Sequence, residues 1–341
     1  MVLTLPASRT GNGFLGTIGI RDVAKAAGVS PATVSRTLAG RAVDPAMRAA
    51  VEAAVRETGY RPNLAARRLR SRDTGTIGLI VADIRNPFFT AIARAVEEAA
   101  YARGLRVILC NTDEDPARET LYLRLMEEER VTGVILAPTR ETPAVRAADL
   151  AVPVVLIDRS PPGGDHDAVL LDNRAASTML VDHLHAQGYT RIAGLFGATS
   201  MTGHERRAGY LAATARLGLA ADARAVPHGP GETEAVVAAL LARADPPDAL
   251  IASNGVMLLS VIRALNAAGA GQAGPAIAGF DNEPWTEVVC GGVTLIEQPV
   301  EQIGGEAMAM LLDRLHQPDA SRRTVMLGGR LIVRGSTARR E

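Results

Sequence analysis

The feature that most constrains the fold of this 341-residue chain is a series of continuous apolar segments alternating with amphipathic helical patterns. Four such segments lie at 76–82, 106–110, 133–137 and 152–157. Strands that are apolar throughout are buried on both faces, which is typical of a parallel sheet covered by helices on each side. This part of the chain is therefore predicted to form a doubly wound α/β subdomain.

The pattern starts again further along the chain, with apolar segments at 169–171, 191–196, 249–252 and 276–280. These predict a second doubly wound parallel-sheet subdomain. We expect an N-subdomain of about 75–168 and 298–323, and a C-subdomain of about 169–297 and 324–341. Two such subdomains joined by crossovers form a cleft between the carboxyl ends of their strands, where α/β folds bind ligands.

A compact pair of helices is predicted near the amino terminus, at 20–38. Apolar residues recur at helical spacing before Gly28, which supplies the left-handed corner of a tight turn. Ser30 can cap a second helix that begins at Pro31. A third helix at 44–58 would complete a small all-α unit with helix-turn-helix geometry.

The second helix of this unit has a polar surface on which Thr33, Ser35 and Arg36 can hydrogen-bond phosphates or base edges. An ordinary helical hairpin is the alternative, and the charge distribution argues against it. Residues 1–73 carry twelve Lys and Arg against five Asp and Glu, whereas the remainder carries 25 against 32. A basic end on an otherwise acidic chain indicates a nucleic-acid-binding unit.

Four regions follow from these patterns. Residues 1–17 are expected to be a disordered extension, 18–60 the helix-turn-helix domain, 61–74 a linker, and 75–341 the body. The linker is strongly basic and too short for a stable isolated helix. It is either a charged connector or a hinge that folds into a helix only on DNA.

Several classes of protein are excluded by what the sequence lacks. No apolar run approaches the ~18 residues that span a bilayer, and no signal peptide is recognisable, so we expect a cytoplasmic protein. Cys110 and Cys290 match no metal or redox spacing. No glycine-rich phosphate loop or nucleophile elbow follows the predicted strands, so neither an enzyme nor a cofactor is expected.

Taken in order, these stretches resemble the LacI/GalR family of bacterial transcription regulators. The resemblance covers the helix-turn-helix, the segment 60–69, and the stretches 76–80, 86–89, 205–210, 279–282 and 297–299. It implies a periplasmic-binding-protein-like body and a homodimer that binds a pseudo-palindromic operator in double-stranded DNA. It also implies allosteric control by a small-molecule effector bound between the two lobes, and we expect a sugar or sugar derivative.

The resemblance assigns DNA contacts residue by residue. Pro31 and Ala32 occupy the positions that discriminate operator bases, so contacts there would be apolar. Arg36 is the candidate for a bidentate contact to guanine, whereas Thr33 and Ser35 are expected to position the helix on phosphates. Ser30, which caps this helix, is also assigned to the DNA-binding surface. In the linker, Leu69 matches the hinge leucine that wedges into a minor-groove base step, and Asn63 and Ala66 match neighbouring contacts. The alternative for Leu69 is a linker residue that packs on its own body.

The resemblance also assigns effector contacts in the cleft, to Phe88, Asp158, Arg206, Asn254, Asp281 and Trp285. Carboxylate, guanidinium and amide groups suit hydroxyl-rich ligands because each makes paired hydrogen bonds. Two alternatives stay open: Arg206 as a structural ion pair, and Phe88 as a core or dimer-interface residue. Asn254 is followed by Gly255 where many relatives have Asp, which would remove a polar group at the edge of the cleft. A body of this kind also suits an exported sugar-binding protein without DNA function, but the basic helix-turn-helix argues against that.

Overall fold

The computed structural model describes residues 18–38, 40–60, 74–139, 150–161, 165–269 and 274–338. The chain divides into two compact units, Met1–Arg72 and Asp73–Glu341. The predicted extension 1–17 lies outside the described residues, as do the hinge positions Asn63, Ala66 and Leu69. Those assignments stay predictions.

The amino-terminal unit, here called the headpiece, contains three helices: α1 (Ile20–Ala26), α2 (Pro31–Leu38) and α3 (Pro45–Thr58). Each predicted local signal is present. Gly28 has φ 65° at the turn, the Ser30 hydroxyl accepts the Thr33 N–H at 3.1 Å, and Asp44 caps α3. Val23, Val34 and Val51 are fully buried where the three helices meet, so a small aliphatic core holds the unit together.

The second unit, here called the body, contains two six-stranded sheets. The first has the order β11-β5-β4-β3-β1-β2 and defines the first lobe. Its strands are β1 (Thr76–Val81), β2 (Arg106–Asn111), β3 (Gly133–Leu136), β4 (Val154–Ile157), β5 (Asp167–Leu171) and β11 (Thr324–Leu327). Its helices are α4 (Pro87–Tyr101), α5 (Pro116–Glu128) and α10 (Val300–His316). Helices α4 and α10 cover one face of this parallel sheet and α5 covers the other, as apolar strands require.

The second sheet defines the second lobe and has the order β12-β10-β9-β8-β6-β7. Its strands are β6 (Ile192–Gly197), β7 (Asp222–Val226), β8 (Ala249–Ala252), β9 (Ala276–Phe280), β10 (Thr294–Glu297) and β12 (Arg330–Ile332). Its helices are α6 (Asn173–Ala186), α7 (Met201–Leu217), α8 (Glu232–Leu241) and α9 (Gly255–Ala267). All neighbouring strands are parallel except β10 and β12.

The predicted subdomain boundaries need one correction. The strand expected to open the C-subdomain, β5, pairs with β4 and with β11, so both β5 and β11 belong to the first lobe. The chain crosses after Leu171, after β10 and again between β11 and β12. The hydrophobic pattern identifies β5 and β11 as strands, but it does not indicate which of the two similar sheets each strand joins.

A strand and part of a helix were also missing from the predicted elements. Strand β7 is an edge strand with half of its surface in solvent, so its sequence lacks the apolar run that identified the others. The sequence pattern predicts a helix from about Glu205 to Leu217. Helix α7 begins four residues earlier, at Met201, because the Ser200 hydroxyl caps it by accepting the Gly203 N–H at 3.2 Å. Arg206 therefore lies in the second turn of α7.

Candidate DNA-binding surface and interlobe site

The exposed surface of α2 is formed by the residues that sequence analysis assigned to DNA. Pro31, Ala32, Ser35 and Arg36 are exposed. Ser30 and Thr33 pair their hydroxyls at 2.9 Å, so part of their hydrogen-bonding capacity is used inside the turn. The Arg36 guanidinium makes no hydrogen bond or ion pair with any described residue, so it is available for an external acceptor.

In the body, carboxylates with unusual backbone geometry collect where parallel strands end. Asp113 and Glu114 follow β2, Asp158 follows β4, and Asp281 follows β9, with φ of 56°, 58°, 65° and 75°. Residues other than glycine rarely adopt this left-handed backbone conformation, and each one that does destabilises the fold by about 1–3 kcal/mol. Such strain is found preferentially at functional sites, so it marks these strand ends as a candidate site.

Arg206 is the most unusual residue at this site, because an arginine is here only 3% exposed. Its Nε donates to Asn173 Oδ1 at 2.7 Å and its Nη1 donates to the Ser253 carbonyl. The guanidinium carbon lies 3.9 Å from the centre of the Phe280 ring, within cation–π range. No carboxylate oxygen of a described residue lies within 4.0 Å, so the sequence-based alternative of a direct ion pair does not apply to the part of the chain that is described.

The electrostatics of Arg206 connect the two lobes. Burial lowers the pKa of its guanidinium, whereas the carboxylates of Asp281 and Asp158 act in the opposite direction. Asp158 belongs to the first lobe, and Arg206 and Asp281 to the second. Three of the predicted effector contacts are therefore close enough to interact electrostatically: Asp158 and Asp281 from two strand ends, and Arg206 from helix α7.

Asp281 is 6% exposed, and both of its oxygens have partners. Oδ2 accepts the Gly255 N–H at 2.8 Å and Oδ1 accepts from Gln298 Nε2 at 2.6 Å. Asn254 caps α9, because its Oδ1 accepts the Met257 N–H at 2.7 Å. Each carboxylate oxygen can accept a second bond, and the Asn254 amide nitrogen has no hydrogen-bond partner among the described residues.

Asp158 is part of a triad that sequence analysis missed. Arg159, 6% exposed, donates from Nε to Asp158 Oδ2 at 2.8 Å. Its Nη1 donates to both oxygens of Glu114, at 2.9 and 3.1 Å. The carboxylates raise the pKa of the Arg159 guanidinium despite its burial, so it is a permanent cation in the first lobe. Two successive charged residues directly after an apolar strand were the available sequence signal.

The two aromatic candidates differ in environment. Phe88 is 6% exposed, packs into the core of the first lobe, and makes an edge-on contact with Phe89 at 5.1 Å between ring centres. Trp285, the single tryptophan of the chain, is half-buried against the second lobe, and its Nε1 donates to Glu283 Oε2 at 2.9 Å. The structure thus places Phe88 in the core of the first lobe and Trp285 beside the carboxylate of Glu283.

The chemistry available here is hydrogen bonding by charged and amide groups. Among the described residues, no cluster of three or more His, Cys, Asp or Glu side chains has the arrangement of a metal site. None of the described helices is long and apolar enough to cross a membrane. The site suits recognition of a polar molecule.

Known protein families match both the headpiece and the body of this chain. Residues 19–63 match the family described as bacterial regulatory proteins, lacI family, and residues 181–337 match the periplasmic binding protein-like domain. The transcriptional regulator PtxS of Pseudomonas plecoglossicida is 39% identical over 94% of this chain and 96% of its own length.

Two solved structures are also similar. The lac repressor dimer bound to operator and an anti-inducer has a TM-score of 0.84 at 24% identity, covering 94% of this chain and 99% of that one. A LacI-family regulator from Enterococcus faecium with bound ribose has a TM-score of 0.69 at 27% identity, covering 78% and 100%. The helix-turn-helix match decides against an exported binding protein without DNA function. The chain belongs to the lacI family of bacterial regulatory proteins.

Proposed function

We propose that this protein is a dimeric, cytoplasmic repressor that leaves or binds its operator according to the occupancy of the interlobe site by a sugar or sugar derivative. The observation that carries the effector assignment is the Arg206 guanidinium. It is buried beside Asp281 and Asp158, and its Nη2 has no hydrogen-bond partner among the described residues. A hydroxyl-rich ligand supplies acceptors to the cation and donors to the carboxylates at once.

Ribose bound to the Enterococcus faecium regulator supports a sugar as the effector class. Residues from both lobes surround the site, so a ligand that bridges them changes the balance between lobe arrangements. Effector and operator must then change each other's affinity by the same factor. No catalytic role is proposed for these side chains.

The dimer and the hinge belong to the same proposal. The edge strand β2 exposes Leu109, and the neighbouring Ile84, tied to this edge through Asn111, is exposed as well. An open apolar strand edge favours pairing with a second copy. We propose that Leu69 wedges into the operator, with Asn63 and Ala66 beside it, as the family resemblance implies.

Operator release by a sugar is the direct test of this proposal. The full chain is assayed for binding to DNA upstream of its own gene, selected by footprinting, with a panel of ribose, other pentoses, hexoses and disaccharides. We expect footprinted, two-fold-related half-sites, and at least one sugar that shifts operator affinity about 5–150-fold. A chain that binds this DNA but responds to none of the sugars would contradict the effector assignment.

Arg36→Ala is expected to weaken operator binding by about 1–3 kcal/mol and to relax base preference at one symmetric position of each half-site. The reason is that Arg36 is exposed on α2 and its guanidinium is free for a base edge. Binding to a library of singly substituted operators measures this. Arg56→Ala, an exposed arginine on α3, is the matched control and should leave base preference unchanged. A loss that is uniform across all operator variants would instead make Arg36 a phosphate contact.

A further inference from the structure

Glu283 is a half-buried carboxylate that lies among the predicted effector contacts without having been one of them. Its Oε2 accepts the Trp285 indole N–H at 2.9 Å. Its Oε1 lies 2.9 Å from the position that a Cβ on Gly255 would occupy. Gly255 directly follows Asn254, and its own N–H is bound by Asp281. The carboxylate therefore fills the room that the missing side chain of residue 255 leaves.

We propose that Glu283 recognises the effector directly: Oε1 accepts a hydrogen bond from a sugar hydroxyl, and Gly255 provides the space that this carboxylate needs. The inference rests on the proposed function, because it assigns a recognition residue to the same site. It also revises a sequence expectation, since the polar group that Gly255 removes is supplied from residue 283.

The hydrogen bonding and the pKa of the Glu283 carboxyl group support this role. Oε1 has no hydrogen-bond partner among the described residues, whereas Oε2 is held by the indole. Burial raises the pKa of the Glu283 carboxyl and the neighbouring Asp281 acts in the same direction. A half-buried oxygen without a partner, next to a second carboxylate, is stabilised by a hydrogen-bond donor.

An independent observation on the other side of Asn254 also indicates a ligand. The Arg206 guanidinium is bound to the carbonyl of Ser253, the residue before Asn254, and is 3% exposed. Its Nη2 lacks a partner among the described residues. A guanidinium nitrogen of the buried Arg206 and an oxygen of Glu283, both without a partner among the described residues, thus lie on either side of Asn254. A hydroxyl-bearing ligand satisfies both, because each hydroxyl donates one hydrogen bond and accepts others.

The first test is calorimetric titration of the full-length wild type and of Glu283→Ala with every sugar of the panel that binds the wild type. We expect roughly tenfold or greater loss of affinity in the variant, as for removal of a hydrogen bond to a charged group. The matched control is Glu287→Ala, an exposed acid in the same short helix (Pro284–Glu287) that pairs with Arg334. It should bind within about twofold of wild type.

The second test moves the carboxylate. Gly255→Ala should weaken sugar binding more in the wild type than in the Glu283→Ala background. Its Cβ would lie 2.9 Å from Glu283 Oε1, a contact that exists only in the first, whereas its 3.2 Å contact with the Asp281 Cβ exists in both. Gly255→Asp combined with Glu283→Ala should recover part of the lost affinity, since an acid at residue 255 reaches the same position. Such recovery is not expected of a merely structural residue.

The outcomes separate the two proposals. If no sugar binds the wild type, the proposed function fails and this inference fails with it. If a sugar binds wild type and Glu283→Ala equally, or if Gly255→Ala weakens binding equally in both backgrounds, only the role of Glu283 is overturned. Thermal melting of each variant checks that the body is folded.

Discussion

Arg206→Met is expected to reduce effector affinity by about thirtyfold to several thousandfold while leaving operator binding intact. Methionine keeps the length of the side chain and its contact with Phe280, but it removes the cation that lies beside Asp281 and Asp158. Loss of a buried hydrogen-bonded charge at a binding site costs about 2–5 kcal/mol. The measurement is calorimetry with the sugars that bind wild type, together with operator binding with and without sugar.

The adjacent residue provides a matched control for this prediction. Arg207 is exposed on the same helix, and Arg207→Met should change neither sugar affinity nor the operator response. A purely structural Arg206 makes a different prediction: Arg206→Met would lower the melting temperature of the body, yet bind sugar within a few-fold of wild type. Retained sugar affinity in a folded Arg206→Met protein would remove Arg206 from the proposed site.

The headpiece could be predicted in detail because its determinants are local. The Gly28 corner, the Ser30 cap and the Asp44 cap each act within four residues, and each was found as the sequence indicated. The lobes were predicted less completely. Whether β5 joins the first or the second sheet depends on pairing with β4 and β11, and β11 lies more than 150 residues away.

The candidate site shows the same division. Asp158 and Asp281 follow apolar strands, so their position at the strand ends was predictable. Arg159 reaches Glu114 across 45 residues of sequence, and Gln298 reaches Asp281 across 17. Such contacts depend on which strand ends become neighbours. The consequence of having glycine at residue 255 for the polar groups of the site could not be predicted either. The carboxylate that occupies the space beside Gly255 belongs to Glu283, which is distant in sequence.

The largest expected effect on stability comes from a buried ion pair far from the proposed site. Arg314→Ala should lower the free energy of unfolding of the body by about 3–5 kcal/mol. Arg314 and Asp167 are 6% and 2% exposed, and the guanidinium donates to both oxygens of that carboxylate, at 2.9 and 3.0 Å. It also donates to the carbonyls of Pro318, Ala320 and Ser321.

Arg314 therefore ties the end of α10 and the turn after it to the start of β5. Among the described residues, alanine leaves the buried Asp167 carboxylate with only the Arg323 backbone N–H as a hydrogen-bond donor, at 2.9 Å. It also leaves the carbonyls of Pro318, Ala320 and Ser321 without the guanidinium. Urea unfolding followed by circular dichroism measures the loss. The control is Arg323→Ala, which breaks an exposed pair with Asp313 and should cost less than about 1 kcal/mol. If both variants lose the same free energy of unfolding, the buried Arg314–Asp167 pair stabilises the body no more than the exposed Arg323–Asp313 pair does. The stability of this part of the first lobe would then come from its aliphatic core.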